Sequence, residues 1–332
     1  MNAAALRKSN ESSRAAPLER GDAQVYDTRA EDRSTGTRRR RAAVIVNAAS
    51  GSVEKNKLAE LRASLDHFDG PQIVSFITAA PDGVSHAVEK ALSNDPDVIA
   101  IVGGDGTARS VAEAAAPSGV PIAPLPYGTM NILPHRIYGA RSGPAIMRAL
   151  GRARVETIPA GRVNGRLFLL SAALGFPVTL ARAREDARHP DLAHLTEAVM
   201  DLAQGISESA EERIVYRGED RTPRRAAGLV LTTAPAESLL DACAPWRGAQ
   251  AFEIIGAKTR GLGDVLRLGS RALADEWRDD ESVEVSTSTV LKAYVSGETL
   301  VGLDGDPVSL SSPLSFTFET AATPILVPDT DG

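Results

Sequence analysis

Residues 98–107 read VIAIVGGDGT and decide the fold of the first half of this chain. Residues 97–102 are apolar after the first, which is typical of a parallel strand buried on both faces. Three glycines and Asp105 follow directly. A helix is predicted over residues 107–116, and Thr107 at its start can cap it. Glycines let a ligand approach the backbone amides closely, and a helix N-terminus favours phosphate. The sequence therefore predicts a phosphate site at the end of a buried strand.

Strands and helices alternate on both sides of this segment. Upstream, strands are predicted at residues 42–46 and 73–77, and helices at residues 55–65 and 84–92. Downstream, residues 120–125 are a fourth predicted strand. The alternation predicts a parallel α/β sheet with right-handed crossovers, and such sheets bind ligands at the carboxyl ends of their strands.

Two further loops leave the same edge of the predicted sheet. Residues 47–51 (NAASG) follow the first strand, and residues 126–131 (PYGTMN) follow the fourth. Each loop supplies glycine with short hydroxyl or amide side chains, although either one alone is more often a plain turn. Neither a Walker loop nor the spaced glycines of a dinucleotide fingerprint occurs. Three such loops at one edge predict a nucleotide-binding cleft.

The pattern changes after about residue 155. Short strands separated by turns are predicted at residues 166–173, 227–233, 251–257, 282–287, 299–303 and 314–319, with one longer helix at 189–204. The predicted fold is therefore an α/β nucleotide-binding domain with a parallel sheet at residues 42–155 and a mostly antiparallel β domain at 156–312. Residues 313–332 are predicted to be a C-terminal strand and tail that could return to the first domain.

Charge is distributed unevenly over the 332 residues. The formal net charge of −6 divides into +4 on residues 1–41 and −10 on the remainder. Residues 1–41 are predicted to be a disordered basic tail. The run RRRR at residues 38–41 is then either solvated or in contact with anionic lipid, where each cation contributes about 1 kcal/mol.

Composition excludes several classes of protein. Aromatic residues make up 4% of the chain, and with the net negative charge this argues against a nucleic-acid partner. A single cysteine, Cys243, rules out an internal disulfide and a multi-cysteine metal site. No apolar run reaches the ~18 residues of a membrane span, and the first residues lack the apolar core of a signal peptide. A cytoplasmic protein is the expectation.

Several motifs together resemble the diacylglycerol kinase catalytic-domain family. They are residues 46–51 (VNAASG), 103–107 (GGDGT) and 128–131 (GTMN) in the first half, and residues 162–168 (RVNGRLF), 173–176 (ALGF) and 303–307 (LDGDP) in the second. That family includes bacterial lipid kinases, sphingosine kinases and ceramide kinases, and it is distantly similar to NAD kinases and phosphofructokinases. The resemblance covers most of residues 42–328.

The resemblance implies a binding site for ATP and Mg²⁺. The residues expected around ATP are Asn47, Ser50, Gly51, Thr78, Gly103, Gly104, Asp105, Gly106, Thr107, Gly128, Thr129 and Asn131. Asp105 is expected to organise the magnesium ion of Mg-ATP. Members of the family use an acidic residue of a late Asp-Gly-Glu element to accept the proton of the lipid hydroxyl. Asp306 stands here in place of the glutamate and Asp304 in place of the aspartate, so both are candidate catalytic bases, although Asp-Gly is also a strong hairpin signal.

The sequence departs from the family's pattern in three places. Ile132 follows Asn131, where the family commonly has an aspartate. Residues 245–248 (PWRG) carry no carboxylate where many bacterial members have an acidic loop, so no second metal site is predicted. Residues 108–110 (ARS) replace the usual Asn-Glu pair. Arg109 within them is expected either to meet a phosphate or to lie on a solvated helix face.

The expected activity is transfer of the γ-phosphoryl group of ATP to the primary hydroxyl of a membrane lipid of the diacylglycerol type. A ceramide or sphingoid-base kinase, a soluble kinase similar to NAD kinase, and a catalytically silent ATP-binding regulator remain alternatives. The expected partner is a membrane lipid, reached by transient contact with the inner face of the membrane. The oligomeric state is open, a homodimer being one option.

Overall fold

The computed structural model describes residues 38–48, 58–186, 214–235, 248–259, 262–273 and 276–329. From Arg39 onward these residues belong to one compact unit. None of the described helices is long and apolar enough to cross a membrane.

The first half alternates strands and helices. The elements are β1 (Arg41–Asn47), α1 (Leu58–Leu65), β2 (Gln72–Ala79), α2 (Val84–Leu92), β3 (Val98–Gly103), α3 (Asp105–Ala115), β4 (Ile122–Pro126), α4 (Ile132–Tyr138) and α5 (Gly143–Ala149). The four strands are parallel and lie in the order β2-β1-β3-β4. The parallel α/β prediction is confirmed.

The central strands of this sheet are buried on both faces. Ile99 and Ile101 of β3 face α2 and α3, while Val98, Ala100 and Val102 face the layer that contains α1 and α5. Full burial of an isoleucine side chain contributes about 1.5–3 kcal/mol, so both layers are held to β3 by apolar packing. A strand buried in this way explains the unbroken apolar run in the sequence.

The second half is mostly strands. Its elements are β5 (Ala153–Val163), β6 (Arg166–Phe168), β7 (Ser171–Gly175), α6 (Phe176–Asp186), β8 (Ile214–Arg217), β9 (Arg224–Ala226), β10 (Gly228–Thr232), β11 (Phe252–Ala257), α7 (Leu262–Leu273), β12 (Val283–Ser288), β13 (Val290–Tyr294), β14 (Glu298–Leu303), β15 (Asp306–Ser311) and β16 (Leu314–Pro328). Six of them form a separate antiparallel sheet in the order β12-β11-β10-β7-β14-β15. The predicted antiparallel β architecture is therefore confirmed.

The long strand β16 joins both parts of the fold. Its C-terminal part pairs in parallel with β4, with Ile325 opposite Ile122, and its N-terminal part pairs antiparallel with β13. It also pairs along most of its length with β5. The first sheet thereby continues as β4-β16-β13-β8-β9. The domain limits at residues 155 and 312 stay a prediction, because β5 and β16 belong to both parts.

The two sheets of the second half enclose an aromatic core. Phe168 stacks on Phe252 with ring centroids 5.6 Å apart and meets Phe316 edge-on at 6.5 Å. All three side chains are almost completely buried. This core fixes the first sheet against the antiparallel sheet that carries β14 and β15.

Several elements differ from the sequence prediction. Strand β16 extends nine residues beyond the predicted end at residue 319, past Pro324, because a register shift between Glu319 and Thr323 accommodates the proline. Elements missing from the prediction are β5, β8, β9, β13, β15 and helices α4 to α7. Most of them are too short or too polar to show a clear periodicity of apolar residues. The predicted helix at 189–204 lies outside the described residues.

Three arginines of the run at residues 38–41 contact the folded unit. Arg39, Arg40 and Arg41 each donate to backbone carbonyls of the folded unit. Arg40 for example reaches the carbonyl oxygens of Leu150 and Ala153 at 2.8 and 2.9 Å. These three arginines are thus held against the folded unit instead of being freely solvated, while contact of the run with anionic lipid stays a prediction. The tail residues before Arg38 lie outside the described residues.

Candidate active site

The end of β1, the turn after β3 and the loop after β4 lie at the carboxyl edge of the parallel sheet. Asn47 ends β1, and its Nδ2 donates to Oγ1 of Thr107 at 2.8 Å. Helix α3 begins at Asp105 with Gly104 as its N-cap, two residues earlier than predicted. Thr107 is therefore a residue of the first turn, where its hydroxyl joins β1 to α3 instead of capping the helix.

The turn after β3 and the loop after β4 are in backbone contact. A Cβ on Gly128 would overlap the Cα of Gly104, so only glycine fits at this crossing. Close approach of two backbones is a common reason for glycine in a ligand-binding loop. The structure therefore brings Gly104 of the glycine turn together with Gly128 of the loop after β4.

Asn131 closes the loop after β4 on itself. Its backbone is left-handed at φ 53°, its Oδ1 accepts from the Gly128 amide at 2.7 Å, and its Nδ2 donates to the Gly128 carbonyl at 2.9 Å. The asparagine side chain thus shapes the loop from within. Thr129 lies at the exposed tip of this loop.

Asp105 is nearly buried and holds the next helix. Its two carboxylate oxygens accept from the backbone amides of Ile132 and Leu133 at 3.0 and 2.9 Å, which caps the N-terminus of α4. Burial raises the pKa of Asp105, and these two amides with the nearby His135 and Arg136 oppose the rise. At its other end α4 is tied to β16, because the hydroxyl of Tyr138 donates to the carbonyl of Leu326 at 2.9 Å. Asp105 therefore fixes the turn after β3 relative to the loop after β4.

The predicted role of Asp105 toward the magnesium ion of Mg-ATP stays a prediction. Both of its carboxylate oxygens already have backbone donors. Over the described part of the chain, no group of three histidine, cysteine or carboxylate residues could hold a metal ion. A metal bound by the protein alone does not fit these residues.

The late motif forms the tip of the β14–β15 hairpin. Leu303 pairs with Asp306, and the two residues between them, Asp304 and Gly305, have φ values of 52° and 93°. Two successive residues of positive φ are typical of a type I′ turn, which matches the twist of antiparallel strands. The hairpin expected from Asp-Gly is therefore present, and it carries both candidate bases.

Asp304 points into the protein. Its carboxylate accepts from three consecutive backbone amides, those of Leu169, Leu170 and Ser171, at 2.7 to 2.9 Å. Burial raises the pKa of Asp304 to about 6, against the lowering effect of these amides and of Arg109. The carboxylate anchors the hairpin to the loop before β7. This geometry argues against Asp304 as the base.

Asp306 has the opposite environment. Its side chain is 55% exposed, and a Cβ on Gly106 would overlap its carboxylate. Gly106 lies in the first turn of α3, so the late hairpin touches the glycine turn directly. Of the two candidate bases, Asp306 is the one that a substrate at this edge could reach.

Arg109 connects the two halves of the site. The residue is 5% exposed, and its Nη2 lies 3.4 Å from Oδ2 of Asp306. Its Nη1 lies 3.7 Å from Oε2 of Glu113, whose Oε1 accepts from the amide of Leu167 at 3.2 Å. The expected solvated helix face is wrong, because Arg109 is buried and faces Asp306, whereas contact of Arg109 with a phosphate stays a prediction. The i,i+4 spacing of Arg109 and Glu113 was the only signal in the sequence.

The remaining predicted residues lie at the margin of the site or outside the described structure. Thr78 is an exposed residue of β2, opposite Val46 of β1. Ser50 and Gly51 lie outside the described residues. The backbone amides that bind Asp304 could not be recognised in the sequence, since the backbone N–H of almost any residue type can donate such a hydrogen bond.

The match to a known family agrees with this geometry. Residues 41–165, which contain β1 to β5 and the three ligand loops, match the diacylglycerol kinase catalytic domain. This part of the chain is similar to the catalytic domain of diacylglycerol kinases. The matched segment ends just before β6, so Asp304 and Asp306 are supplied by the chain beyond that domain.

Curated relatives and a solved structure extend the similarity. The chain is 25% identical over 285 residues to "Diacylglycerol kinase" of Bacillus subtilis, which covers 80% of this chain and 90% of that protein. It is 37% identical over 109 residues to "Probable lipid kinase YegS-like" of Pseudomonas aeruginosa, covering 32% of this chain and 36% of that protein. The fold is similar to a crystal structure of a diacylglycerol kinase from Bacillus anthracis, with a TM-score of 0.57, 13% identity, and coverage of 89% of this chain and 99% of that one.

Proposed function

We propose that this protein is a lipid kinase that transfers the γ-phosphoryl group of ATP to the primary hydroxyl of a membrane lipid, with a diacylglycerol-type lipid as acceptor. The observation that carries the proposal is the position of Asp306, an exposed carboxylate from the second half against the first turn of α3. Phosphoryl transfer depends on positioning and on electrostatic stabilisation more than on covalent chemistry by the protein. A site assembled from two parts of the chain suits that requirement.

The glycine loops would hold the phosphates of ATP. Gly104 and Gly128 keep their backbones free of side chains at the crossing of two loops, and the N-terminus of α3 points its amides at the same edge of the sheet. Asp105 and Asn131 would keep this cradle rigid through the contacts described above. Magnesium would arrive bound to the phosphates, where it neutralises their charge.

Asp306 would act as the general base. It would accept the proton of the lipid hydroxyl as that oxygen attacks the γ-phosphorus and the bond to the β-phosphate oxygen breaks. Arg109 would hold the carboxylate in place through the 3.4 Å ion pair. Relatives named as diacylglycerol and lipid kinases support a lipid as the acceptor.

The test compares the wild-type chain with Asp306→Asn in a labelled-ATP assay with Mg²⁺ and mixed micelles of diacylglycerol. We expect the variant to lose about 10²–10⁴-fold in kcat, the range for removal of a general base, and to keep its ATP affinity within about threefold. Asp69→Asn, an exposed aspartate of the first half, serves as the matched control and should keep full activity. Near-normal turnover by Asp306→Asn would contradict the assignment.

The same assay separates the acceptors. Ceramide, a sphingoid base and NAD replace diacylglycerol in parallel reactions, each with and without a chelator of divalent ions. We expect label in diacylglycerol, and none after chelation, because the phosphates need a counter-cation. Label in NAD alone would overturn the lipid acceptor, and ATP binding without any labelled product would support a silent regulator.

A further inference from the structure

The outer face of β8, β9 and β13 carries a group of cations. In β8 and β13 the residues that alternate inward, such as Tyr216 and Leu291, are buried in the core between the two sheets. The residues between them face outward and are exposed, including Arg217 and Lys292. Arg225 of β9 and Arg221 of the turn after β8 are exposed as well. We call Arg217, Arg221, Arg225 and Lys292 the basic face.

The register of the strands places like charges together. Lys292 of β13 is directly opposite Arg217 of β8. Like charges opposite each other on one face of a sheet are destabilising. A nearby anion would remove that cost.

The carboxylates near the basic face are already paired elsewhere. Arg224, on the other face of β9, binds Asp220 at 2.7 Å and Glu284 at 2.8 Å. Glu219 accepts from the amide and hydroxyl of Thr289. In the part of the chain that the structure describes, Arg221, Arg225 and Lys292 form no ion pair. Three cations of the face are thus available to an external anion.

Apolar groups lie among these cations. Val290 is 43% exposed and Tyr294 is 36% exposed, and both share the outward side of β13 with Lys292. Arg217 donates to the hydroxyl of Tyr294 at 2.8 Å and lies 5.5 Å from the centre of its ring. A cleft of about 620 Å³ opens beside them, lined by Arg217, Arg221, Val290 and Lys292 among others. Cations mixed with an aromatic and an aliphatic side chain suit the interface of a bilayer, where polar ends stay wet and apolar parts enter the headgroup layer.

A local basic surface offsets the net negative charge of residues 42–332 at an anionic membrane. Residues 42–332 have a formal charge of −10, which an anionic membrane would repel. At physiological ionic strength charges beyond about 8 Å are largely screened, so a small positive face can dominate at contact. The basic face provides such a surface.

We propose that the basic face, with Val290 and Tyr294, docks this protein on an anionic lipid bilayer. The proposal rests on the proposed function, because a lipid substrate requires a place of contact with the membrane. It goes further in naming the residues that make the contact and the sign of charge that the lipid surface must carry.

The test measures binding of the full chain to vesicles in a flotation assay. The variant Arg221→Gln/Arg225→Gln/Lys292→Gln removes the three cations that lack an ion pair and leaves the Arg217–Tyr294 contact intact. We expect tight binding of wild type to vesicles with phosphatidylglycerol and weak binding to phosphatidylcholine alone. The variant should lose about fivefold in affinity for each cation removed, on the order of 100-fold in total. Raising the salt concentration should weaken wild-type binding and reduce the difference in vesicle affinity between wild type and the variant.

A matched variant controls for the change in net charge. Lys90→Gln/Arg141→Gln/Arg148→Gln removes three exposed cations of the first half. It should bind anionic vesicles as wild type does. Equal binding by wild type and the basic-face variant would overturn the proposal. A change in the sedimentation mass of the basic-face variant would also overturn it, since the face would then be a contact between copies of the chain. So would a wild-type protein that binds nucleic acid through this face and does not bind vesicles.

A second measurement separates this proposal from the proposed function. The basic-face variant should phosphorylate a detergent-dispersed short-chain diacylglycerol at the wild-type rate, while losing activity on the same lipid in anionic vesicles. Absence of lipid phosphorylation by wild type in both formats would refute the proposed function but leave vesicle binding as a separate result. Equal activity of both proteins on vesicles, with the kinase active, would refute the docking face alone.

Discussion

At the scale of the residue, Asp304 and Asp306 show how two aspartates in one turn acquire different roles. Strand alternation and the type I′ turn point the first carboxylate inward to three amides and leave the second beside Gly106. A carboxylate held by buried backbone donors contributes to structure, whereas an exposed one can exchange a proton with a substrate. The residue type alone carries no such distinction.

The stability of the protein should depend on pH through Asp304. Because burial raises its pKa from 3.8 to about 6, the folded state binds this proton more tightly than the unfolded chain does. The resulting stabilisation is complete below about pH 4 and is lost as the pH rises through about 6. We expect the free energy of unfolding of wild type, relative to Asp304→Asn, to fall by roughly 2–3 kcal/mol between pH 4 and 7.

Urea unfolding at several pH values measures this difference. Leu300→Ala, an exposed substitution in the neighbouring strand, should keep the wild-type dependence on pH. If the difference in free energy of unfolding between wild type and Asp304→Asn stays constant from pH 4 to 7, burial does not shift the pKa of Asp304.

Arg109 should act as a positioning residue for Asp306. We expect Arg109→Ala to lower kcat about 10–100-fold with little change in the KM for ATP, because the carboxylate would lose its ion pair while the glycine loops remain. Arg109→Lys should restore part of the rate. In an Asp306→Asn background, Arg109→Ala should have no further effect on kcat, as expected for residues that act through one another. Additive losses in the double variant would instead indicate an independent role.

At the scale of the element, the site depends on how loops are fixed to one another. Helix α4 has only seven residues, yet Asp105 holds its first turn and Tyr138 ties its last turn to β16. The loop after β4 is held between α4 and the crossing with Gly104. A short helix with weak propensity is thus fixed by tertiary contacts, which is the usual source of helix stability in proteins.

Gly128→Ala should disrupt this arrangement. The added Cβ would overlap the backbone of Gly104, which has no flexible side chain that could move away. We expect ATP affinity to fall at least tenfold and the protein to lose about 1–3 kcal/mol of stability. Gly83→Ala is the control, because a Cβ there meets nothing within 4 Å and its φ is −93°. Calorimetric titration with ATP and thermal unfolding measure the two effects; unchanged ATP affinity in Gly128→Ala would mean that the loops separate when ATP binds.

At the scale of the whole molecule, β5 and β16 make one structure of two architectures. Strand β16 pairs with β4 of the parallel sheet at one end and with β13 at the other. A strand shared in this way joins the parallel sheet to the strands of the second half. The Asp306 hairpin belongs to the other sheet, where β14 pairs with β7, and the Arg109 ion pair links it to α3.

Unfolding should accordingly be a single transition. We expect Ile101→Ala, a buried change in the parallel sheet, to cost about 2–5 kcal/mol and to lower the melting temperature by about 5–10 °C. The same shift should appear in the fluorescence of Trp277, which is buried beside the antiparallel sheet. Leu300→Ala should leave both signals close to wild type. A fluorescence transition that stays in place while circular dichroism shifts would show two independent domains.

The parallel sheet and its ligand edge could be predicted from the sequence because their signals are local. An apolar run of five residues before Gly103, and glycine loops after three strands, need no distant partner to be recognised. Strand β16 beyond Glu319 could not be predicted, since Pro324 argues against a central strand unless the register shift in its pairing is known. The pairing of Arg109 with Asp306 joins residues 197 positions apart, and no local period reports such a contact.

The sequence by itself determined the class of fold, the three glycine loops, the kinase family resemblance and the hairpin at Asp304-Gly305, because these depend on local periodicity and on backbone freedom at glycine. Only the tertiary structure decided which aspartate is accessible, that Asp105 caps a helix, and that Arg109 is buried against Asp306. Those features depend on which backbone amides and which opposite charges come together after the strands have paired. Side chains of identical chemistry differ in function there because burial and hydrogen bonding differ at each position.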